Sequence, residues 1–291
     1  MLATDKKWNI KMAGLTILLL LLCAPLTAYA EIVELDVGKG ITGTARYSEG
    51  SNDAPAVLIL HGFLQTRDFY TVMRLGAALE DADYTVLVPT LSLGLDRRKK
   101  SLACEAIHSH SLDGDVKEIG LWVEWLHKKT GKPPVVIGHS MGGLLMAAYL
   151  DQASKSAVSS SILISLAYFG RSNSNESIED AERARQALEA GEDGLHNFGL
   201  SYCKKYLTTA QNFLSYYEWS RGETSSALRK LTVPVTVIVG SSDNRIDKTW
   251  VSEMQKFGVD IISITGANHF FDGEYEFELT DMIEALLSEE K

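Results

Sequence analysis

The stretch Val135-Val136-Ile137-Gly138-His139-Ser140-Met141-Gly142-Gly143-Leu144-Leu145 runs from a β-branched apolar segment, through glycines on either side of a serine, into residues of helical period. Val135–Ile137 reads as a strand buried on both faces, and Leu144, Leu145, Ala148 and Tyr149 as the inner side of the helix that follows. Gly138-His139-Ser140-Met141-Gly142 between them fits G-x-S-x-G. In that context the turn is sharp and strained, lifts the serine hydroxyl at the carboxyl edge of a sheet, and needs small residues where strand and helix crowd it. The bland alternative for Ser140 is an ordinary helix N-cap.

Outward from this turn the chain repeats the same alternation. Val57–Leu60, Thr85–Val88, Ser161–Ile164, Val235–Val239 and Ile261–Ile264 are further short apolar runs, and Ile32–Val37 with Ile41–Tyr47 reads as an opening antiparallel pair. Helical faces are formed by Phe69, Val72, Met73, Leu75 and Leu79, by Val116, Ile119, Trp122, Val123 and Leu126 with Asp113 as N-cap, and by Phe277 to Leu287. Alternating strands and helices predict an α/β fold, a mostly parallel eight-stranded sheet with helices on both faces. About 70 residues between Ile164 and Val235 show no strand pattern, too long for a plain loop. Glu179–Ala190 is helical by composition, and Phe198, Tyr202, Tyr206, Phe213, Tyr216, Tyr217 and Trp219 follow it. This predicts a small helical cap at about 167–230, inserted in a single domain over 31–291.

A serine hydroxyl attacks well only when a neighbouring base takes its proton. His269, in the loop Gly266-Ala267-Asn268-His269-Phe270 after the last strand, lies at the same sheet edge as Ser140 and is the candidate base. The tight turn should send the His139 side chain elsewhere. Asp243, at the end of Val235–Val239, is the candidate acid and is nearer the strand end than Asp247, while Asp272 is too close to His269 in sequence. His61-Gly62-Phe63 follows the central strand. The N–H groups of Phe63 and Met141 are then the candidate oxyanion donors, with His61 structural.

Residues 1–30 read as a leader. Lys6, Lys7 and Lys11 precede the apolar run Leu15–Leu22, and Ala28-Tyr29-Ala30 offers a cleavage site before Glu31. The run is short of the ~20 residues that span a bilayer, so no stable membrane span is expected after cleavage. An exported product, periplasmic or extracellular, is expected. Loss of three Lys and one Asp with the leader takes the formal charge from −10 to −12, which argues against nucleic acid or an anionic membrane as partner. Cys104 and Cys203 then remain, an even pair that favours a disulfide in an oxidising compartment, the alternative being two buried thiols. The Cys104–His110 stretch matches no zinc spacing, so no metal and no cofactor is expected.

The series His61-Gly62-Phe63, Gly138-His139-Ser140-Met141-Gly142-Gly143, Asp243 and His269, in this order, resembles the α/β-hydrolase superfamily over Glu31 to Lys291. The resemblance implies a serine hydrolase of the esterase or lipase kind, acting on a small-molecule acyl substrate through an acyl-enzyme. An acyltransferase, a peptidase, or a binding protein of the same fold without turnover would present the same motifs. The stretch Pro89-Thr90-Leu91-Ser92-Leu93-Gly94, continuing through Cys104 to His110, departs from the commonest members and is basic at Arg97–Lys100.

Overall fold

A computed structural model of the chain describes residues 30–153, 157–169 and 175–289. The leader expected over 1–30 lies outside them, Ala30 apart. The chain opens with β1 (Glu31–Gly38), β2 (Ile41–Ser48), β3 (Ala56–Leu60), α1 (Tyr70–Asp81) and β4 (Thr85–Thr90). It continues with β5 (Ile107–His108), α2 (Leu112–Thr130), β6 (Val135–His139), α3 (Met141–Gln152) and β7 (Ser161–Ile164). Then come α4 (Asn175–Glu189), β8 (Leu195–Leu200), β9 (Cys203–Thr209), α5 (Ala210–Tyr217) and α6 (Arg221–Lys230). The last elements are β10 (Val235–Gly240), α7 (Lys248–Lys256), β11 (Asp260–Ile264) and α8 (Tyr275–Ser288).

Eight strands form one sheet in the order β1-β2-β4-β3-β6-β7-β10-β11. It is parallel from β4 to β11, and β2 joins it antiparallel to both β1 and β4. The central strands are apolar throughout because both faces are covered. Along β3, Val57 and Ile59 pack with α1 and α8 residues such as Val72, Leu75 and Ile283, while Leu58 and Leu60 pack into the opposite layer with Trp122, Leu144 and Met146 of α2 and α3. The period of two in one strand thus feeds both halves of the core.

Two sequence expectations need correction. The stretch between β7 and β10 contains helices, as expected, but also β8 and β9, which pair with each other and with β5 in a three-stranded sheet of order β5-β9-β8. These strands escape a search for continuous apolar runs because they are covered on one face only. Phe198, Leu200, Tyr206 and Thr208 are buried, while Leu195, Asn197, Lys204 and Lys205 are exposed. The N-cap of α2 is Ser111, whose hydroxyl accepts from Gly114 N at 3.2 Å, and Asp113 falls in the first turn instead.

The same small sheet accounts for the long segment after β4. β5 lies in that segment, and Cys104 is disulfide-bonded to Cys203 at the start of β9. Closing a loop of 99 residues stabilises the fold by about 4–5 kcal/mol in the chain-entropy account. Arg98 is buried, and its guanidinium donates to the carbonyls of Leu91 (2.7 Å), Lys100 (2.9 Å) and Gln65 (2.6 Å). A buried polar cluster ties segment, α2 and α5 together. His110 Nδ1 lies 3.2 Å from Asp115 Oδ2, the Tyr216 hydroxyl donates to the same oxygen at 2.5 Å, and the Tyr206 hydroxyl lies 3.1 Å from His110 Nε2.

Glu118 of α2 accepts from Ser92 N (2.8 Å) and Ser92 Oγ (2.5 Å), yet burial pushes its carboxyl up to about 7. An acid raised in the folded state contributes stability that is complete below its ordinary 4.5 and is lost as pH rises through about 7. Glu118→Gln is therefore expected to flatten the fall in Tm across that window. Parallel Tm–pH curves for the two proteins would refute the burial account.

Candidate active site

The turn between β6 and α3 is built to be tight. A Cβ added at Gly138 would lie 2.5 Å from the Gly142 carbonyl oxygen, and one at Gly142 would lie 2.4 Å from that of His61. Only hydrogen fits at either place. Ser140 itself holds φ 56°, ψ −122°, a conformation L-residues rarely adopt. The strain is held by Ser140 N donating to Ile164 O (2.8 Å) and Gly143 N to Ser140 O (3.0 Å). The half-buried hydroxyl is thereby set at the N-terminus of α3.

Three sheet-edge loops meet there. Ser140 Oγ lies 2.9 Å from His269 Nε2, and His269 Nδ1 lies 2.8 Å from Asp243 Oδ2. His269 and Asp243 are 5% and 7% exposed, so the contacts are shielded from competing water. Burial opposes ionisation of Asp243, but bonds from His269, the Ser165 hydroxyl (2.8 Å) and the N–H groups of Arg245 (2.8 Å) and Ile246 (3.2 Å) outweigh it. Its carboxyl is held below the usual carboxylate range. An ionised Asp243 accepts hydrogen bonds and donates none, so the His269 proton sits on Nδ1 and Nε2 is left to accept from Ser140.

Asp247 stands apart. It caps α7 by accepting from Thr249 N at 2.8 Å and pairs with Arg221 at 3.4 Å. Asp272 accepts from the Asn268 amide at the surface. His61 is buried and neutral, with burial lowering its pKa to about 3. Its Nδ1 bonds to Gly62 O (2.9 Å), and its Nε2 accepts from Leu91 N (3.1 Å). It thus holds the β3 turn to the segment after β4. A Cβ at Gly62 would be 3.6 Å from Ser140 Cβ, so this turn lies against the serine. Among the described residues neither Phe63 N–H nor Met141 N–H is engaged in a hydrogen bond.

Four contributors were not legible in the sequence. Ser165, with φ 47°, holds Asp243 from the end of β7. The His139 side chain makes no hydrogen bond to Ser140 among the described residues, as the tight turn suggested, but it is drawn to the His269 loop. Its Nε2 bonds to the His269 carbonyl at 2.9 Å, and its ring lies 5.2 Å from that of His269. Burial lowers its pKa to about 4, so it is neutral and donates this bond from Nε2. Tyr202, before β9, donates its hydroxyl to Phe63 O at 3.0 Å. Arg245 lies with its guanidinium 4.8 Å from the Phe270 ring centre. The G-x-S-x-G pattern leaves the residue at 139 unspecified and says nothing about the other three, which come from separate segments of the chain.

Ser140 and His269 open into a cavity of about 1030 Å³ lined also by Phe63, Phe69, Tyr168, Phe169, Tyr202 and Phe270 among others, with Asp243 behind its wall. Among the described residues no group of three or more His, Cys, Asp or Glu is placed to hold a metal, and no helix is long and apolar enough to cross a membrane.

Residues 57–277 match the profile of a family described as the alpha/beta hydrolase family. No curated protein sequence matches the chain. Solved structures share the fold at low identity. Est1E from Butyrivibrio proteoclasticus aligns at 16% identity and TM-score 0.61, covering 89% of this chain and 98% of its own. A thioesterase domain from the curacin biosynthetic pathway aligns at 19% and 0.60, covering 88% and 99%. An esterase of Pyrococcus furiosus aligns at 15% and 0.59, covering 90% and 92%.

Proposed function

The chain belongs to the alpha/beta hydrolase family, and from that membership we propose that it is an exported serine hydrolase cleaving an ester or related acyl bond. The observation that carries this reading is the unbroken contact from Ser140 Oγ through His269 to Asp243 Oδ2, at 2.9 and 2.8 Å, with Ser140 and His269 lining a large cavity. Ser140 attacks the acyl carbon as its proton passes to His269 Nε2, and the carbonyl becomes an oxyanion. Phe63 N–H and Met141 N–H receive that charge, reinforced by the N-terminus of α3. The tetrahedral species collapses, the bond to the alcohol or thiol breaks, and His269 hands its proton to the leaving group. Water then repeats the sequence on the acyl-enzyme, with His269 as base, and releases the acid. Asp243 keeps the imidazole in the required tautomer and offsets the charge of the imidazolium.

Residues 167–230, with the segment around Cys104, form a cap over this site in our reading. Support comes from the cavity wall, which includes Phe169, Leu200, Tyr202 and Cys203. Export is supported by the leader pattern and by the Cys104–Cys203 bond, which persists in oxidising compartments. The esterase and the thioesterase domain of like fold make oxyesters and thioesters the first substrates to try.

A panel of p-nitrophenyl esters of rising chain length, paired with a fluorophosphonate probe, tests the reading. Turnover together with stoichiometric labelling at Ser140 is the expected result. An unlabelled Ser140 and no turnover on any ester would favour a binding protein of the same fold.

A further inference from the structure

The charge on the cavity wall is opposite to that of the chain. The formal net charge is −10, yet the charged described residues lining the cavity are Arg245, Lys204 and Asp180. Asp180 is already committed. One of its oxygens accepts from Gly199 N at 2.6 Å, and the other pairs with Arg183 at 2.5 Å. Neither Arg245 nor Lys204 has an ion-pair partner or a side-chain hydrogen bond among the described residues. Asp243, two residues from Arg245, spends its carboxylate on His269, Ser165 and backbone N–H groups. The wall therefore offers two uncompensated cations and one neutralised acid.

Arg245 is also held in place. Its guanidinium lies over the Phe270 ring, 4.8 Å from the centre, and Phe270 follows the candidate base and lines the cavity too. Stacking on an aromatic face orients the planar fork and leaves its N–H edges open to a carboxylate. Lys204 reaches the same cavity from β9 as a point charge.

Resting on the hydrolase reading above, we propose that Arg245 is a specificity-determining residue that selects ester substrates bearing a second, carboxylate group, with Lys204 strengthening the same field. Two matched pairs of substrates test this with the mature, disulfide-bonded protein. Mono-(p-nitrophenyl) adipate against p-nitrophenyl hexanoate places the charge on the acyl side, and p-carboxyphenyl butyrate against phenyl butyrate places it on the leaving group. The readout is the ratio of kcat/KM for the charged over the neutral member, which cancels any general loss of activity in a variant. For at least one pair the ratio should exceed one. It should fall about tenfold in Arg245→Gln, as expected for loss of a charge-assisted contact, recover in part in Arg245→Lys, and shrink with added salt. Lys204→Gln should lower it less. The proposal is overturned if both pairs give the same ratio in Arg245→Gln as in the parent. Turnover of the neutral esters in that case leaves the hydrolase reading standing, whereas turnover of none of the four esters removes both.

Discussion

Replacing Ser140 with Ala is expected to lower kcat on any ester the protein turns over by on the order of 10⁴–10⁶-fold, the range for removal of a nucleophile that works as a unit with its base. The change deletes one oxygen and the 2.9 Å contact to His269 Nε2, and little else. Alanine has the same Cβ as serine, so the turn at φ 56° is no more strained than before. The bonds that hold the turn, Ser140 N to Ile164 O and Gly143 N to Ser140 O, belong to the backbone and remain. Tm should therefore stay close to that of the parent while turnover and fluorophosphonate labelling disappear together. Retention of more than a few per cent of the parent rate would sink the nucleophile assignment, and a collapse of Tm would make the loss uninformative about chemistry.

Asp243→Asn is expected to cost on the order of 10⁴-fold in kcat, because it removes the charge that fixes the imidazole tautomer. The Asn amide group that replaces one oxygen donates where the carboxylate accepted. With that group facing Nδ1, the His269 proton moves to Nε2, and the ring can no longer take the serine proton. The loss should fall on kcat, with KM for a neutral ester nearly unchanged. Asp247→Asn is the internal control. It weakens the cap of α7 and the contact with Arg221, so it should lower the free energy of unfolding by about 1 kcal/mol or less, seen as a small fall in Tm, with a small effect on rate. Measuring kcat and Tm for both variants side by side decides the matter, and the reverse ranking in kcat would move the acid to Asp247.

The large sheet was legible because its strands are buried on both faces. Val57–Leu60 and Val135–Ile137 are apolar at every position, and such runs stand out without any neighbour to interpret them. Ser140, Asp243 and His269 were readable for a related reason, since each sits at or just beyond the end of such a strand, and the strand ends share one edge. The small sheet was not readable. Phe198 and Tyr206 point inward while Asn197 and Lys205 point outward, and that half-polar pattern gains meaning only when β5, from a distant segment, is known to lie alongside. Ser165, His139 and Tyr202 were hidden because each acts through a single hydrogen bond to a residue far away in the chain. The stretch that is basic at Arg97–Lys100 shows no sign in sequence of what it does, since Arg98 is buried among carbonyl oxygens of Leu91 and Gln65, which only the fold brings together.

The bond between Cys104 and Cys203 also sets what a single cut in the chain would do. It closes a covalent ring that contains Ser140 and leaves Asp243 and His269 in the tail beyond it. A protease that nicks the ring once opens it without releasing a fragment, so Ser140 and His269 remain parts of one molecule, and where the nick falls after Ser140 they do so until the bond is reduced. A nick between Cys203 and Asp243 has the opposite outcome, because no covalent link then joins the serine to its partners. The ring makes the hundred residues between the two cysteines the part of the chain that stays joined after a single cut, and leaves the stretch from Cys203 to His269 as the part where one scission separates Ser140 from Asp243, His269 or both.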